Sequence, residues 1–268
     1  MAQDSAASTR SQTSLASAAF NAAVAHHRAG NPAEADRLCH EILARNPADA
    51  GALYLSGLIA HEAGNPKIAL ELLRRATSAD GSVALYHATL GDVYLALGEL
   101  DQAEACYRRA LIQDPQGYTC HNSLGLVMRS RGQHEAAVTS FREALLIRPD
   151  VALIWCNLAD ALFALGLVDD AMECLRRALS ISPELARAHN DLGCLYARAG
   201  NYAEAEACFG RALGLQPTFA VAWRNLGDAL SALGRKSEAE AHYRRCRELD
   251  PAAMAGKTMS VTAAPGPA

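Results

Sequence analysis

The sequence has few aromatic residues, a small net charge and no long apolar run. Aromatic residues make up 6% of the 268, and the formal net charge is −4. A chain without an excess of positive charge lacks the field that attracts nucleic acid or an anionic membrane surface. No stretch approaches the ~20 apolar residues of a membrane-spanning helix. We therefore expect a soluble protein with neither a nucleic-acid nor a membrane partner.

Targeting and cysteine patterns lead to a similar conclusion. The amino terminus, MAQDSAASTRSQTS, lacks the apolar core of a signal peptide. The sequence has 8 cysteines but no C-x-x-C pair and no zinc-type spacing. Cys106, Cys174 and Cys208 are separated by multiples of 34 residues, which is typical of small buried side chains in a repeat. We expect reduced thiols, no metal or cofactor, and a cytoplasmic location.

What the sequence does contain is one pattern repeated every 34 residues. A first glycine recurs at Gly57, Gly91, Gly125, Gly193 and Gly227, and Ala159 takes the remaining place. A second glycine recurs at Gly30, Gly64, Gly98, Gly132, Gly166, Gly200 and Gly234. A proline recurs at Pro47, Pro115, Pro149, Pro183, Pro217 and Pro251, with Gly81 as the exception. Three positions that recur with the same 34-residue period over seven units identify a repeat array.

One unit, residues 186–219, predicts two helices joined by a tight turn. Its first half places apolar residues at the i, i+3, i+4, i+7 spacing of one helical face. Gly200 supplies the positive φ that ends a helix, and Pro217 ends the second helix. Gly193 fits where two helices approach closely. Neither helix can bury its apolar face alone, so each unit needs its neighbours.

The residues Leu192, Gly193, Tyr196, Ala205, Phe209, Ala212 and Pro217 reproduce the pattern W-x-x-L-G-x-x-Y, then A, F, A and P. This pattern resembles that of the tetratricopeptide repeat family. The resemblance implies an all-α solenoid, a right-handed superhelix of seven repeats whose concave groove holds peptides. The aromatic first position is Trp155 and Trp223 in two units, His87, His121 and His189 in three, and Leu53 and Ala19 in the others. We expect an intact fold with altered local packing at these departures.

The predicted units are 16–49, 50–83, 84–117, 118–151, 152–185, 186–219 and 220–253, between tails 1–15 and 254–268 without fixed structure. The first unit has Ala22 and Ala23 in place of Leu-Gly, as a terminal repeat can. Apolar surface on that weak unit makes self-association an open alternative. Arg247 occupies a second-helix site that is leucine in five other units. We infer that Arg247 marks the outer wall of the array.

Catalytic and ligand-binding motifs are incomplete in this sequence. Gly256-Lys257-Thr258 resembles the end of a phosphate-binding loop, but Pro251 stands where the loop needs its first glycine. His26 and His27 are adjacent, and neighbouring residues on a helix diverge by about 100°, so the pair cannot chelate one ion. Asp169 and Asp170 suit a solvated helix surface. We therefore expect no catalytic activity.

The resemblance also implies which side chains line the groove, at six fixed positions of each unit. Early units place Phe20, Tyr54, Leu58 and Leu85 there, an apolar stretch. The expected peptide-binding residues are Asn122, Arg129, Asn157, Arg187, Asn190, Arg198, Arg224 and Asn225. An amide donates and accepts at once, which suits an extended main chain. The alternative is that these are solvated or inter-helix polar groups, and Asp191 and Asp228 are placed to neutralise the nearby arginines.

Three functions remain open at this stage. The first is a scaffold that binds a protein or peptide in the groove without catalysis. The second is an accessory module, because some units look like the repeats that precede bacterial O-linked N-acetylglucosamine-transferase-like or sulfotransferase domains. The third is self-association. A chaperone-tail-binding subtype is disfavoured, because no unit combines lysine at the fifth position with asparagine at the ninth.

If the asparagines bind a ligand main chain, the double variant Asn157→Ala with Asn225→Ala should weaken partner binding and leave helix content unchanged. Calorimetric titration with the partner and far-UV circular dichroism measure the two quantities. Unaltered binding would move the interaction away from these side chains.

Overall fold

The computed structural model describes residues 18–255, and within them all regular secondary structure is α-helical. The helices are α1 (18–28), α2 (Pro32–Arg45), α3 (Ala50–Glu62), α4 (Pro66–Ala79), α5 (Ala84–Ala96), α6 (Leu100–Gln113), α7 (Tyr118–Ser130), α8 (His134–Ile147), α9 (Ala152–Ala164), α10 (Val168–Ile181), α11 (Ala186–Arg198), α12 (Tyr202–Leu215), α13 (Ala220–Ala232), α14 (Lys236–Leu249) and α15 (Pro251–Ala255). The all-α prediction of tandem helix pairs is confirmed. Odd-numbered helices from α1 to α13 are the first helices of their repeats, and even-numbered ones are the second.

The turn inside each pair depends on a glycine in the left-handed region. All seven turn glycines have φ between 73° and 83°. In the 186–219 repeat, Gly200 donates to Ala197 O at 3.0 Å and Asn201 donates to Tyr196 O at 2.9 Å. These bonds satisfy carbonyls that the end of α11 would leave free. The predicted turn is confirmed.

In the five repeats that have tryptophan or histidine at the first aromatic position, the ring anchors its helix to the preceding turn. The Trp155 and Trp223 indoles donate to Pro149 O and Pro217 O at 2.9 and 2.8 Å. His189 Nε2 lies 2.9 Å from Pro183 O. Because a carbonyl oxygen only accepts, this imidazole must donate its Nε2 proton. Histidine thus replaces tryptophan at this position and keeps the ring N–H bond, which the sequence interpretation did not foresee.

The two helices of a pair cross at the first glycine. A Cβ built on Gly193 would lie 2.7 Å from Phe209 Cε1, and one on Gly91 would lie 2.7 Å from Tyr107 Cε1. Such contacts are closer than van der Waals packing permits, so at these two crossings only glycine lets the second helix approach this closely. Phe209 is fully buried in that crossing. The predicted close approach is confirmed here.

Contacts divide the chain into two compact units, which cover residues 18–127 and 128–255 of the described range, with the boundary inside α7. In the first unit, α3 packs with α2 and α4, and α5 packs with α4 and α6. In the second unit, α9 packs with α8 and α10, and the same alternation continues to α14. All eight cysteines are free thiols, and seven are buried, which confirms their prediction as small core residues.

The carboxyl end of the second unit contains a short helix that the sequence interpretation missed. Asp250 Oδ1 accepts the Ala252 N–H at 2.9 Å, and Pro251 begins α15, as an N-cap followed by proline favours. Ala253 and Met254 then pack with Cys246. Residues 254–255, assigned to a tail, therefore belong to a helix; the rest of that tail and the whole of 1–15 lie outside the described residues. Arg247 is exposed and pairs with Glu240 at 2.6 Å; that it marks an outer wall of the array stays a prediction.

Two glycine substitutions distinguish the steric effect of the helix crossing from the effect of helix propensity. Gly193→Ala should destabilise the protein by about 1–3 kcal/mol, because the new methyl group overlaps the Phe209 ring. Gly210→Ala is the control: Gly210 is also helical, but nothing lies within 4 Å of the place that an added Cβ would take. It should stabilise the protein by about 0.5–1 kcal/mol. Urea denaturation followed by circular dichroism measures both, and equal shifts would contradict the close crossing.

Candidate functional site

An aspartate on α9 joins side chains of three first helices, and all of these side chains belong to the second unit. Asp160 Oδ2 accepts Arg129 Nη1 from α7 and Arg187 Nη2 from α11, each at 2.7 Å. Arg187 Nη1 also donates to Asn157 Oδ1 at 3.2 Å. The bonds bridge residues 27 to 31 positions apart, so these first helices lie side by side with their polar side chains on one surface.

The same line of bonds continues from α11 to α13. Arg187 Nε lies 3.4 Å from Asp191 Oδ2, and Asn190 Nδ2 donates to Asp191 Oδ1 at 3.2 Å. Asn225 Nδ2 lies 3.0 Å from Asn190 Oδ1 and 3.3 Å from Cys194 Sγ. We call this set the polar ladder. Its members are Arg129, Asn157, Asp160, Arg187, Asn190, Asp191 and Asn225.

Part of the polar ladder is deeply buried. Asn225 is 2% exposed and Asp191 is 8% exposed. Burial raises the pKa of Asp191 to about 6, the nearby Asp160 charge acts in the same direction, and Arg187 opposes both. Since buried polar groups are costly without partners, the bonds between them favour one arrangement of the first helices. The ladder therefore provides a rigid polar surface.

The eight predicted binding residues have four different surroundings. Five belong to the polar ladder: Arg129, Asn157, Arg187, Asn190 and Asn225. Arg224 is buried and donates to Ala253 O at 2.8 Å, and its Nε is 3.9 Å from Asp228. Arg198 is exposed and lies over the Phe163 ring, 4.9 Å from its centroid. Asn122 is half-buried in the first unit.

The sequence interpretation missed the central role of Asp160. It treated the asparagines as ligand contacts, whereas the structure bonds Asn190 and Asn225 to each other inside the surface. The sequence did contain a signal, because Arg129, Asp160 and Arg187 lie in the first helices of three consecutive repeats. Such alternation of acidic and basic residues across adjacent helices favours ion pairs between them.

Exposed side chains border the polar ladder on the same face. Leu153, on α9, is 51% exposed. Arg198 and Phe163 form the cation–π contact at the far end of the first helices. An apolar group and a cation thus lie beside a fixed polar surface. This arrangement suits a ligand that has an apolar side chain and an acidic one. In residues 18–255 no cluster of three or more histidine, cysteine, aspartate or glutamate side chains could hold a metal ion.

The corresponding face of the first unit is more apolar. The rings of Tyr54 and Tyr86 stack with centroids 4.8 Å apart, and Leu85, the residue before Tyr86, is exposed. Phe20 lies next to Gly51 and is a partly buried side chain packed against the core. His27 Nε2 lies 2.9 Å from Glu62. The predicted apolar stretch is therefore partly core and partly surface.

Comparison with known proteins agrees with the paired helices. Two family models described as the tetratricopeptide repeat match the chain, one over residues 150–218 and one over 20–84, 88–152 and 190–253. The chain belongs to the tetratricopeptide repeat family. A search of curated proteins returned no match. The models do not distinguish subgroups, so the resemblance to O-linked N-acetylglucosamine-transferase-like arrays stays a hypothesis.

Solved structures share this tetratricopeptide fold. A repeat protein from Parabacteroides merdae is 18% identical over 88% of this chain and 93% of that one, with a TM-score of 0.71. PilF of Pseudomonas aeruginosa is 21% identical over 78% and 94%, with a TM-score of 0.67. YrrB, a TPR protein with an unusual peptide-binding site, is 22% identical over 69% and 95%, with a TM-score of 0.54. Sequence identities this low support a similarity of fold and nothing further. Within the described residues, every helix is too short or too polar to span a bilayer.

The raised pKa of Asp191 predicts a loss of stability as pH rises. An unfolded aspartate titrates near pH 3.9, so the stabilisation from protonated Asp191 is complete below that value and is lost as pH approaches about 6. The free energy of unfolding should fall by roughly 1–3 kcal/mol relative to Asp191→Asn between pH 4 and 6. Arg187 and Asp160 are the charged groups that face this carboxyl.

Urea denaturation at each pH measures the difference. Asp150→Asn is the control, because Arg148 holds the pKa of the exposed Asp150 carboxyl below its usual value and removes it from this pH range. A difference between wild type and Asp191→Asn that stays constant from pH 4 to 6 would contradict the assigned burial.

Proposed function

We propose that the protein is a non-catalytic scaffold that binds a peptide or protein segment along the first helices of its repeats, in the groove that the family forms. Membership in the tetratricopeptide repeat family supports protein interaction in general. The observation that carries the proposal is the polar ladder with Leu153 and Arg198 beside it. A rigid surface of this kind lowers the ordering cost of binding.

The chemistry of this surface favours a segment with both apolar and acidic side chains. Leu153 offers apolar area, and the Arg198 guanidinium offers a charge-assisted contact. Asp160 already occupies Arg129 and Arg187, so those two arginines act mainly by keeping the surface in place. The peptide-binding site of YrrB supports this use of the fold in a relative.

We place the protein in the cytoplasm within the same proposal. Eight free thiols and no disulfide among them suit a reducing compartment. The acidic balance of the sequence, with a formal net charge of −4, supports a protein partner over nucleic acid or an anionic membrane. An accessory role beside a glycosyltransferase or sulfotransferase would use the same surface to hold a substrate protein.

The test uses side chains that reach solvent, because the buried asparagines also hold the surface together. A loss of binding in the Asn157→Ala, Asn225→Ala variant could come from either role. Leu153→Glu combined with Arg198→Glu changes only exposed groups on the first-helix face. Leu215→Glu is the matched control, an exposed leucine at the end of the second helix α12.

Each protein is used to capture partners from an extract of the source cells, and the captured partner is then titrated by calorimetry. The double variant should bind at least tenfold more weakly, since a buried apolar contact and a charged contact are each worth about 1 kcal/mol or more. The control should bind like wild type. Equal binding by all three proteins would place the interaction on another surface.

A further inference from the structure

The second-helix side of the second unit contains an apolar pocket of about 620 Å³. It lies between α8 and α10, and α9 forms its floor. Apolar lining comes from Leu145, Leu146, Trp155, Leu158, Leu162 and Cys174, and the charged lining from Arg142, Asp170, Glu173 and Arg177. We call it the α8–α10 pocket. Its size lies in the usual range for ligand pockets.

This pocket is separate from the polar ladder. Trp155, Leu158 and Leu162 reach it from α9, whereas Asn157 and Asp160 of the same helix belong to the ladder. At 3.6 residues per turn the two sets point to opposite sides of the helix. A ligand in the pocket would therefore leave the proposed groove free.

Comparison between repeats explains why the pocket is large. The site of Leu162 is occupied by Tyr94 two repeats earlier and by Tyr196 one repeat later. The equivalent pocket beside Tyr94 has a volume of about 270 Å³, less than half as much. In the later repeat, the nearby Tyr196 hydroxyl raises the pKa of the Arg176 guanidinium. The tyrosine ring fills the space, and its hydroxyl engages the arginine.

The repeat with Leu162 has neither feature. Arg176 corresponds to Arg142, which lines the pocket and has no hydrogen-bond or ion-pair partner for its side chain among residues 18–255. The last repeat also has leucine at this site, but there Trp223 stacks on His242 with centroids 5.3 Å apart. The residue that corresponds to His242 in the earlier repeat is Cys174, which is too small to cover Trp155. The pocket therefore lacks both side chains that fill its counterparts.

We propose that the α8–α10 pocket receives a tyrosine side chain of a partner protein, in the place of the tyrosine that two other repeats supply themselves as Tyr94 and Tyr196. The ring would pack on Leu158, Leu162 and Trp155, as aromatic side chains do in apolar pockets. The phenol hydroxyl would accept from Arg142 and donate to a carboxylate at the rim.

The charges at the rim select a neutral hydroxyl. Arg142 and Arg177 are balanced by Asp170 and Glu173. A carboxylate or phosphate entering between them would meet the acidic pair, and an ammonium group would meet the arginines. A phenol carries no charge and uses both kinds of neighbour. This distinguishes tyrosine from acidic, basic and purely apolar side chains.

The test uses p-cresol, which has the tyrosine side chain's ring and hydroxyl. Trp155 reports on the pocket in a Trp223→Phe background, where it is the remaining tryptophan. With excitation at the red edge of tryptophan absorption, p-cresol should change the Trp155 emission in a saturable way. A fragment of this size should bind with a Kd on the order of 1 mM.

Leu162→Tyr introduces the tyrosine that the following repeat has as Tyr196 and should abolish the saturable change. Cys174→His, which copies the histidine beside Trp223, provides a second blocked pocket should the first variant fold poorly. Far-UV circular dichroism establishes that each variant is folded. Saturable p-cresol binding that persists in both blocked variants would overturn the assignment of this site.

Toluene has the ring of p-cresol without its hydroxyl, so comparing the two compounds separates the contribution of the ring from that of the hydroxyl. Arg142→Met should weaken p-cresol about fivefold, the usual loss for one hydrogen bond, and leave toluene unchanged. If toluene binds as well as p-cresol and Arg142→Met affects neither, the pocket takes apolar groups without regard to the hydroxyl, and the tyrosine proposal is wrong. Absence of saturable binding by either compound would also overturn it.

Discussion

The close crossing of the two helices in each repeat is the constraint on which the rest of the structure depends. Where a glycine stands on the first helix, an aromatic or leucine side chain of the second helix rests on its backbone, as Phe209 does on Gly193 and Leu73 on Gly57. The contact leaves little room for sliding or rotation, since close-packed interiors resist small changes in volume. Because these pairs are held in this way, their first helices can lie side by side.

That arrangement gives the second unit two surfaces with different chemistry. On the first-helix side, polar side chains are close enough to bond across helices, and Asp160 and Arg187 connect most of them. On the second-helix side, Leu162 lines a pocket of about 620 Å³, whereas the equivalent pocket beside Tyr94 in an earlier repeat has about 270 Å³. One backbone pattern therefore supports a proposed groove and a separate proposed pocket.

The features that recur in every repeat could be predicted from the sequence, whereas most contacts that differ between repeats could not. Period, turn glycines and crossing glycines follow from steric rules that leave few alternatives, so Gly200 and Gly193 could be assigned from their spacing. The bond from Asn225 to Asn190 depends on side-chain rotamers across a helix interface, which a residue pattern does not contain. Helix α15 was missed because five residues are too few to show a helical period. The histidines at the tryptophan site keep the N–H bond to the preceding turn, a substitution that only the chemistry of the ring explains.

The most direct measurement of the central constraint is the nuclear Overhauser contact between Gly193 and Phe209 in the labelled protein. The account predicts strong contacts from the Gly193 α protons to the Phe209 ring, with upfield ring-current shifts that Gly210 on the exposed side of α12 does not share. Gly193 α protons that contact only their own helix and show no such shift would contradict it.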